Sequence, residues 1–285
     1  MRYEAPETID AAVALLAKAT GEARVLAGGT DLLVQMKTEV IAPALVVDVK
    51  RIAELRTIEE EAGGFRIGAA VTGAELKEHL RLRSAWPGVV EAANLIGSTQ
   101  VQGRATMGGN LCNGSPAADS VPALIAAGAV ASIVGPKGRR ELAVEDIMLA
   151  PRKLALAKGE VVASFLLPAR GRGASDAYLR FIPRTEMDIA VVGAGVSLAT
   201  DAAGRITAAR VGLGAVAARP LLVKPAADAL VGSKLEPAAL DKFEKAVRAA
   251  CAPVDDKRGT KEFRIKVAGV MARRTAEIAY KRARS

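Results

Sequence analysis

Thr106-Met107-Gly108-Gly109-Asn110-Leu111, running on through Cys112-Asn113-Gly114-Ser115-Pro116-Ala117-Ala118-Asp119, surrounds a glycine doublet with small and polar residues. A second doublet lies upstream in Ala27-Gly28-Gly29-Thr30-Asp31. Without a Cβ the backbone enters conformations closed to other residues and comes close to a ligand, so that neighbouring N–H groups converge on a phosphate. Two such stretches suit a pyrophosphate held from two sides. A tight turn explains either doublet alone, and the residues by themselves leave turn and cradle both open. Thr106 and Asn110 offer side-chain hydrogen bonds. Asp119 only accepts when ionised, which suits a sugar hydroxyl or ring N–H; alternatively it caps the helix that follows.

Working outward, Thr8 is placed to cap a helix whose Ile9, Ala12, Val13 and Leu16 form one apolar stripe, with Gly21 as its stop. Arg24-Val25-Leu26-Ala27 reads as a strand feeding the first doublet, and Leu45-Val46-Val47-Asp48-Val49 as a buried strand. Residues 1–57 therefore form a βαβ-like unit. A second unit, 58–173, opens with a strand over 64–71. Thr72-Gly73-Ala74-Glu75 then has the pattern of a reciprocal helix cap, predicting a helix to about Leu80. Helices over 89–96 and 118–127 flank the second doublet, read as a loop, and strands follow over 130–134 and 160–167. The small, basic, glycine-rich segment 169–175 reads as a linker. From 174 to 285 three strand-like runs (177–182, 190–199, 206–214) precede three helical ones (225–231, 237–250, 261–282). Strands first and helices later indicate an α+β domain, an antiparallel sheet with helices on one face.

With 285 residues, 51% of them apolar, the chain has ample material for buried cores. Aromatic residues are only 3%, too few for base-stacking platforms, so the net charge of +9 does not read as nucleic-acid binding. Much of the excess lies after Asp256, from Lys257 and Arg258 to Arg282 and Arg284, at helical spacing, as on a solvated helix face or a dock for an acidic partner. Two cysteines, Cys112 and Cys251, and one histidine cannot complete a zinc or two-iron site. The start lacks a signal-peptide pattern and no apolar run reaches the roughly 20 residues of a membrane span, so a cytoplasmic protein is expected.

Other motifs carry little. Gly212-Leu213-Gly214-Ala215-Val216-Ala217 fits the dinucleotide fingerprint G-x-G-x-x-A, but Arg219-Pro220 follows where that fingerprint must open a helix. His79, near the end of a predicted helix, suits a surface or C-terminal electrostatic role. Cys112 reads as a small buried thiol and Trp86 as packing.

The run Ile96-Gly97-Ser98-Thr99-Gln100-Val101-Gln102-Gly103-Arg104-Ala105-Thr106-Met107-Gly108-Gly109-Asn110-Leu111, continuing in Ser115-Pro116-Ala117-Ala118-Asp119, resembles the FAD-binding medium subunit of the molybdenum hydroxylases, the xanthine dehydrogenase and carbon monoxide dehydrogenase type. Supporting matches are Ala27-Gly28-Gly29-Thr30-Asp31-Leu32-Leu33, Met187-Asp188-Ile189-Ala190, Glu262-Phe263-Arg264 and Arg273-Arg274, so that the resemblance spans the chain. It implies a two-subdomain FAD-binding domain of the vanillyl-alcohol-oxidase (PCMH) type followed by the C-terminal α+β domain.

The resemblance places Val25, Leu26, Ala27, Gly28, Gly29, Thr30, Asp31 and Leu32 on the first FAD loop, and Ile96, Thr106, Met107, Gly108, Gly109, Asn110 and Asp119 on the second. Val162 falls on a backbone contact. Arg180 stands where relatives often carry a lysine near the flavin ring; its permanent charge suits an anionic reduced flavin, its planar fork reaches differently, and a plain surface strand residue is the other reading. The resemblance further implies a heterotrimer, itself dimerised. A large subunit would carry the molybdenum cofactor and a small one two [2Fe-2S] clusters, their electrons passing through FAD to an external acceptor. Two readings stand beside it: a free-standing flavin-dependent oxidoreductase, and a non-catalytic nucleotide-binding assembly module.

Overall fold

A computed structural model describes residues 1–285. The chain opens with β1 (Arg2–Glu4), α1 (Ile9–Lys18), β2 (Ala23–Leu26), α2 (Leu32–Lys37) and β3 (Leu45–Asp48). The strands make a parallel sheet in the order β1-β3-β2. Thr8 caps α1 as the spacing predicts, its Oγ1 accepting from Ala11 N at 3.3 Å, and the stripe from Ile9 to Leu16 is buried. β1, which no pattern announces, is held by the Tyr3 hydroxyl donating to Asp48 at 2.6 Å.

Next come β4 (Ile58–Glu61), β5 (Gly64–Gly68), α3 (Gly73–Glu78), α4 (Leu80–Ala85), α5 (Pro87–Ala93), α6 (Met107–Cys112), α7 (Ser120–Ala127), β6 (Val130–Gly135), β7 (Gly138–Ala143), β8 (Met148–Ala150), β9 (Lys153–Leu154) and β10 (Val161–Leu167). Five of these strands form an antiparallel sheet ordered β4-β5-β10-β6-β7, and β8 pairs with β9. The Thr72–Glu75 capping box forms as predicted. The helix it starts breaks at His79, whose Nδ1 accepts from Leu82 N at 3.1 Å. His79 thus caps the beginning of α4 rather than lending charge to a helix end. The second doublet is a helix, not a loop: Thr106 Oγ1 accepts from Gly109 N at 2.9 Å and starts α6. The low helix propensity of two glycines hides it.

The C-terminal part follows the predicted order: β11 (Ala174–Phe181), β12 (Val192–Thr200), β13 (Ile206–Gly214), β14 (Leu221–Leu222), α8 (Lys224–Leu230), α9 (Pro237–Ala250) and α10 (Lys261–Ala283). The sheet is antiparallel, β11-β12-β13-β14, and α8 to α10 share its core of Val192, Val196, Phe243, Ala272 and Ala276. Gly212 and Gly214 of the false fingerprint lie inside β13. A Cβ at Gly212 would overlap the Pro122 carbonyl oxygen, so this glycine lets α7 lie against the strand.

Segment 169–175 is no loose linker. Arg170 donates to Ala85 O at 2.6 Å, Asp176 Oδ1 at 2.9 Å and Ser197 Oγ at 2.9 Å, and its guanidinium lies 3.5 Å from the centroid of Trp86. The basic C-terminal helix is only partly a solvated face. Arg258, Arg264, Arg273 and Arg282 pair with Asp188, Asp256, Asp241 and Glu91, whereas Lys266, Arg274 and Lys281 are exposed.

Arg264 locks α10 to the sheet. Its side chain, 5% exposed, donates to Val191 O at 3.0 Å, Ala215 O at 3.2 Å and Asp256 Oδ1 at 2.7 Å. Removing it strands two buried carbonyls, and Arg264→Ala should lower stability by about 2–4 kcal/mol, read as the urea midpoint. An unchanged midpoint would show that the clamp contributes nothing.

Candidate functional site

A cleft of about 580 Å³ runs between the parallel sheet and the five-stranded sheet. One wall holds Val25 and Ala27 to Leu32. The other holds Ile96, Thr106, Gly108, Gly109, Asn110 and Val162, so residues some eighty positions apart in sequence face one ligand-sized space. Both glycine doublets open onto it. Leu26 and Met107 do not: their side chains are buried in the fold, 8% and 1% exposed, because strand alternation and helical spacing turn them inward.

The glycines do unequal work. A Cβ at Gly28 would overlap the Arg104 carbonyl oxygen, and one at Gly108 the Ala69 carbonyl oxygen, so both are small because backbone packs on backbone. Gly29 has φ +76°, which disfavours other residues. Gly109 alone faces open space, its nearest obstacle Thr106 Oγ1 at 3.0 Å.

The N–H groups also divide. Those of Gly108 and Gly109 are taken by Ala69 O (3.2 Å) and Thr106 Oγ1 (2.9 Å). The N–H groups of Gly28, Gly29, Thr30, Asp31 and Leu32 meet no acceptor in the chain. Five successive free donors where the backbone turns into α2 form an anion cradle. Across the cleft Asn110 Oδ1 accepts from Ser120 N (3.0 Å) and Ser120 Oγ (2.7 Å), so it caps α7 and leaves its amide nitrogen to the cleft. Asp31 is acidic but burial pushes its carboxyl up, which softens its repulsion of an anion.

The sequence does not foretell the far wall. Arg152, Leu154, Lys158 and Val161 line it from the β8–β9 hairpin and the turn into β10, which lack a hydrophobic period. Arg24 and Gln35 line it as well, Gln35 donating to Asn113 Oδ1 at 2.9 Å and tying α2 to the end of α6. Cys112 is not buried: its side chain opens into the cleft, whose enclosing walls push the thiol up to about 12.

Asp119 and Arg180 lie outside the cleft lining and face each other instead. Arg180 Nη1 donates to Asp119 Oδ2 at 3.1 Å and to Leu95 O at 2.7 Å, directly before Ile96 in the cleft wall. Asp119 makes no side-chain cap on α7, and its Oδ1 is buried without a partner. Burial pushes its carboxyl up to about 7 against the opposing pull of Arg180. Its neighbour Tyr178 is raised well above its ordinary value, again by burial first. The five free donors, the open face at Gly109 and the unpartnered Asp119 oxygen fit a dinucleotide with a pyrophosphate at its centre.

The comparisons with known proteins agree. Residues 1–170 match the family model described as FAD binding domain in molybdopterin dehydrogenase, and residues 177–279 the CO dehydrogenase flavoprotein C-terminal domain. The chain belongs to this family of FAD-binding subunits of molybdenum hydroxylases. It is 37% identical to the carbon monoxide dehydrogenase medium chain of Afipia carboxidovorans, covering 99% of this chain and 98% of that one. It is 30% identical to the putative xanthine dehydrogenase FAD-binding subunit of Escherichia coli K12, covering 95% and 93%. Among solved structures it is similar to the reconstituted CO dehydrogenase from Oligotropha carboxidovorans, with a TM-score of 0.94, 37% identity and coverage of 99% and 98%.

Two measurements check the electrostatics. A carboxyl raised in the folded state favours the fold most in acid, so the contribution of Asp119 should shrink as pH rises from its ordinary 3.8 to about 7 and then level off. The urea midpoint of the wild type minus that of Asp119→Asn should follow that course; a flat difference defeats the assignment. Thiol labelling at Cys112 should quicken about tenfold per pH unit between pH 8 and 10, where an ordinary thiol would already level off.

Proposed function

We propose that the cleft holds FAD, with its pyrophosphate on the free N–H groups of Gly28 to Leu32 and its nearer edge against Gly108, Gly109 and Asn110. The row of five unpaired donors carries this reading. Thr106 and Asn110 contribute their side chains towards the ribityl chain and phosphate; Val25, Leu26, Ala27, Met107 and Val162 contribute as backbone or wall. Ile96 closes the ring end, braced from behind by Arg180 and Asp119. There Arg180 keeps a positive charge close to the flavin at any working pH, and Asp119 offers its unpartnered oxygen. When bound, FAD takes up and releases the electrons; the chain supplies position and electrostatics.

In this reading the chain is the middle station of a molybdenum hydroxylase. Substrate is oxidised at a molybdenum cofactor on a large subunit, and two [2Fe-2S] clusters on a small subunit feed electrons to the FAD held here for delivery to an external acceptor. Its relatives' description as medium chain and FAD-binding subunit supports this, and so does a chain with only two cysteines. The assembly is a dimer of heterotrimers in the cytoplasm; no helix of this chain is long and apolar enough to cross a membrane. Its three sheets support a partition into residues 1–57 and 58–173, which enclose the cofactor, and 174–285, which backs its ring end.

The test is to express the chain, add FAD, desalt, record the visible spectrum and identify the nucleotide released on denaturation. Wild type should retain FAD. Gly109→Leu, which fills the open face, should lose it while keeping its far-ultraviolet circular dichroism. Retention by the variant would remove Gly109 from the site, and a colourless wild type, alone and with its partner subunits, would remove the flavin.

A further inference from the structure

Helix α2 buries none of its residues, although its sequence is Leu32-Leu33-Val34-Gln35-Met36-Lys37. Leu32 and Gln35 face the cleft. On the other side Leu33 is 53% exposed, Val34 58%, and Val40, just beyond the helix, 54%. Between Val34 and Ala44 the only charges are Lys37 and Glu39, which cancel, so this face is apolar and neutral on a chain of net charge +9. Contiguous exposed apolar surface of this kind marks a protein contact, and its lack of charge does not suit a nucleic acid or an acidic surface.

We propose that the outer face of α2 docks the iron–sulfur subunit, through an apolar, uncharged patch on that partner. The inference rests on the electron-transfer reading above. Electron transfer weakens steeply with distance, so the donor must sit at the rim of the cofactor cleft. A partner on α2 is separated from the cleft by one helix, about 10–12 Å across with its side chains. Other exposed apolar residues, Leu80 and Val254 among them, do not border the cleft. The helix is also tied to the second glycine segment through Gln35 and Asn113, so the dock and the cradle form one piece.

The experiment uses the tagged chain purified from its source organism, with FAD, iron and labile sulfide measured per chain and the bound cluster protein identified by its [2Fe-2S] electron paramagnetic resonance. Wild type should carry all three. Leu33→Glu with Val34→Glu should keep FAD and lose iron and sulfide about tenfold or more, because a charge would be buried without a partner. Val40→Glu, which lies off the helix and off the cleft lining, should show the same loss, and Leu80→Glu should not. Iron kept by the α2 and Val40 variants, or lost only where FAD is lost, overturns the dock. A chain that forms a dimer on its own, split by Leu33→Glu, overturns it in favour of a second copy on this face. Wild type that holds FAD but never iron and sulfide fails the electron-transfer reading itself.

Discussion

The site depends on one close approach of backbone to backbone. Gly28 lies against the carbonyl of Arg104, and Gly108 against that of Ala69, contacts no side chain would permit. These contacts bring a turn of the parallel sheet and the first turn of α6 together as opposite walls. They also fix which donors remain for a ligand: the second wall consumes its own N–H groups in capping, while the first leaves five unspent. The cradle is therefore asymmetric. One side presents peptide donors, the other side chains from Thr106 and Asn110.

The C-terminal sheet completes this arrangement from behind. Gly212 admits Pro122 of α7, Arg180 reaches the carbonyl before Ile96, and Arg264 anchors α10 to the far ends of the strands. Each contact joins a residue of one part to backbone of the next. Charge matters less to stability than position here, since several of the basic residues that give the chain its net charge serve as fasteners between elements.

The C-terminal strands and helices were legible because long regular elements carry strong periodicity, and both helix caps at Thr8 and Thr72 were legible because capping chemistry is local. The glycine segments pointed to the right place, but for a partly mistaken reason: two of the four glycines answer to packing rather than to a ligand. Helix α6 was hidden by its composition. The wall from Arg152 to Val161 was hidden because short hairpins with charged edges have no hydrophobic signature, and the partnership of Asp119 with Arg180, sixty-one residues apart, is set only by tertiary structure. His79 shows the same limit, its role fixed by a helix break that its neighbours do not announce.

Trp86 is the only tryptophan of the chain, and it is almost fully buried beneath the Arg170 guanidinium at the passage between the two matched regions. Its indole is packed by one region and covered by a cation from the segment leading into the other. Intrinsic fluorescence therefore reports the joint between them rather than the average state of the chain. Separation of the two regions would uncover the ring before either core melts, giving this molecule a built-in optical gauge of its own hinge.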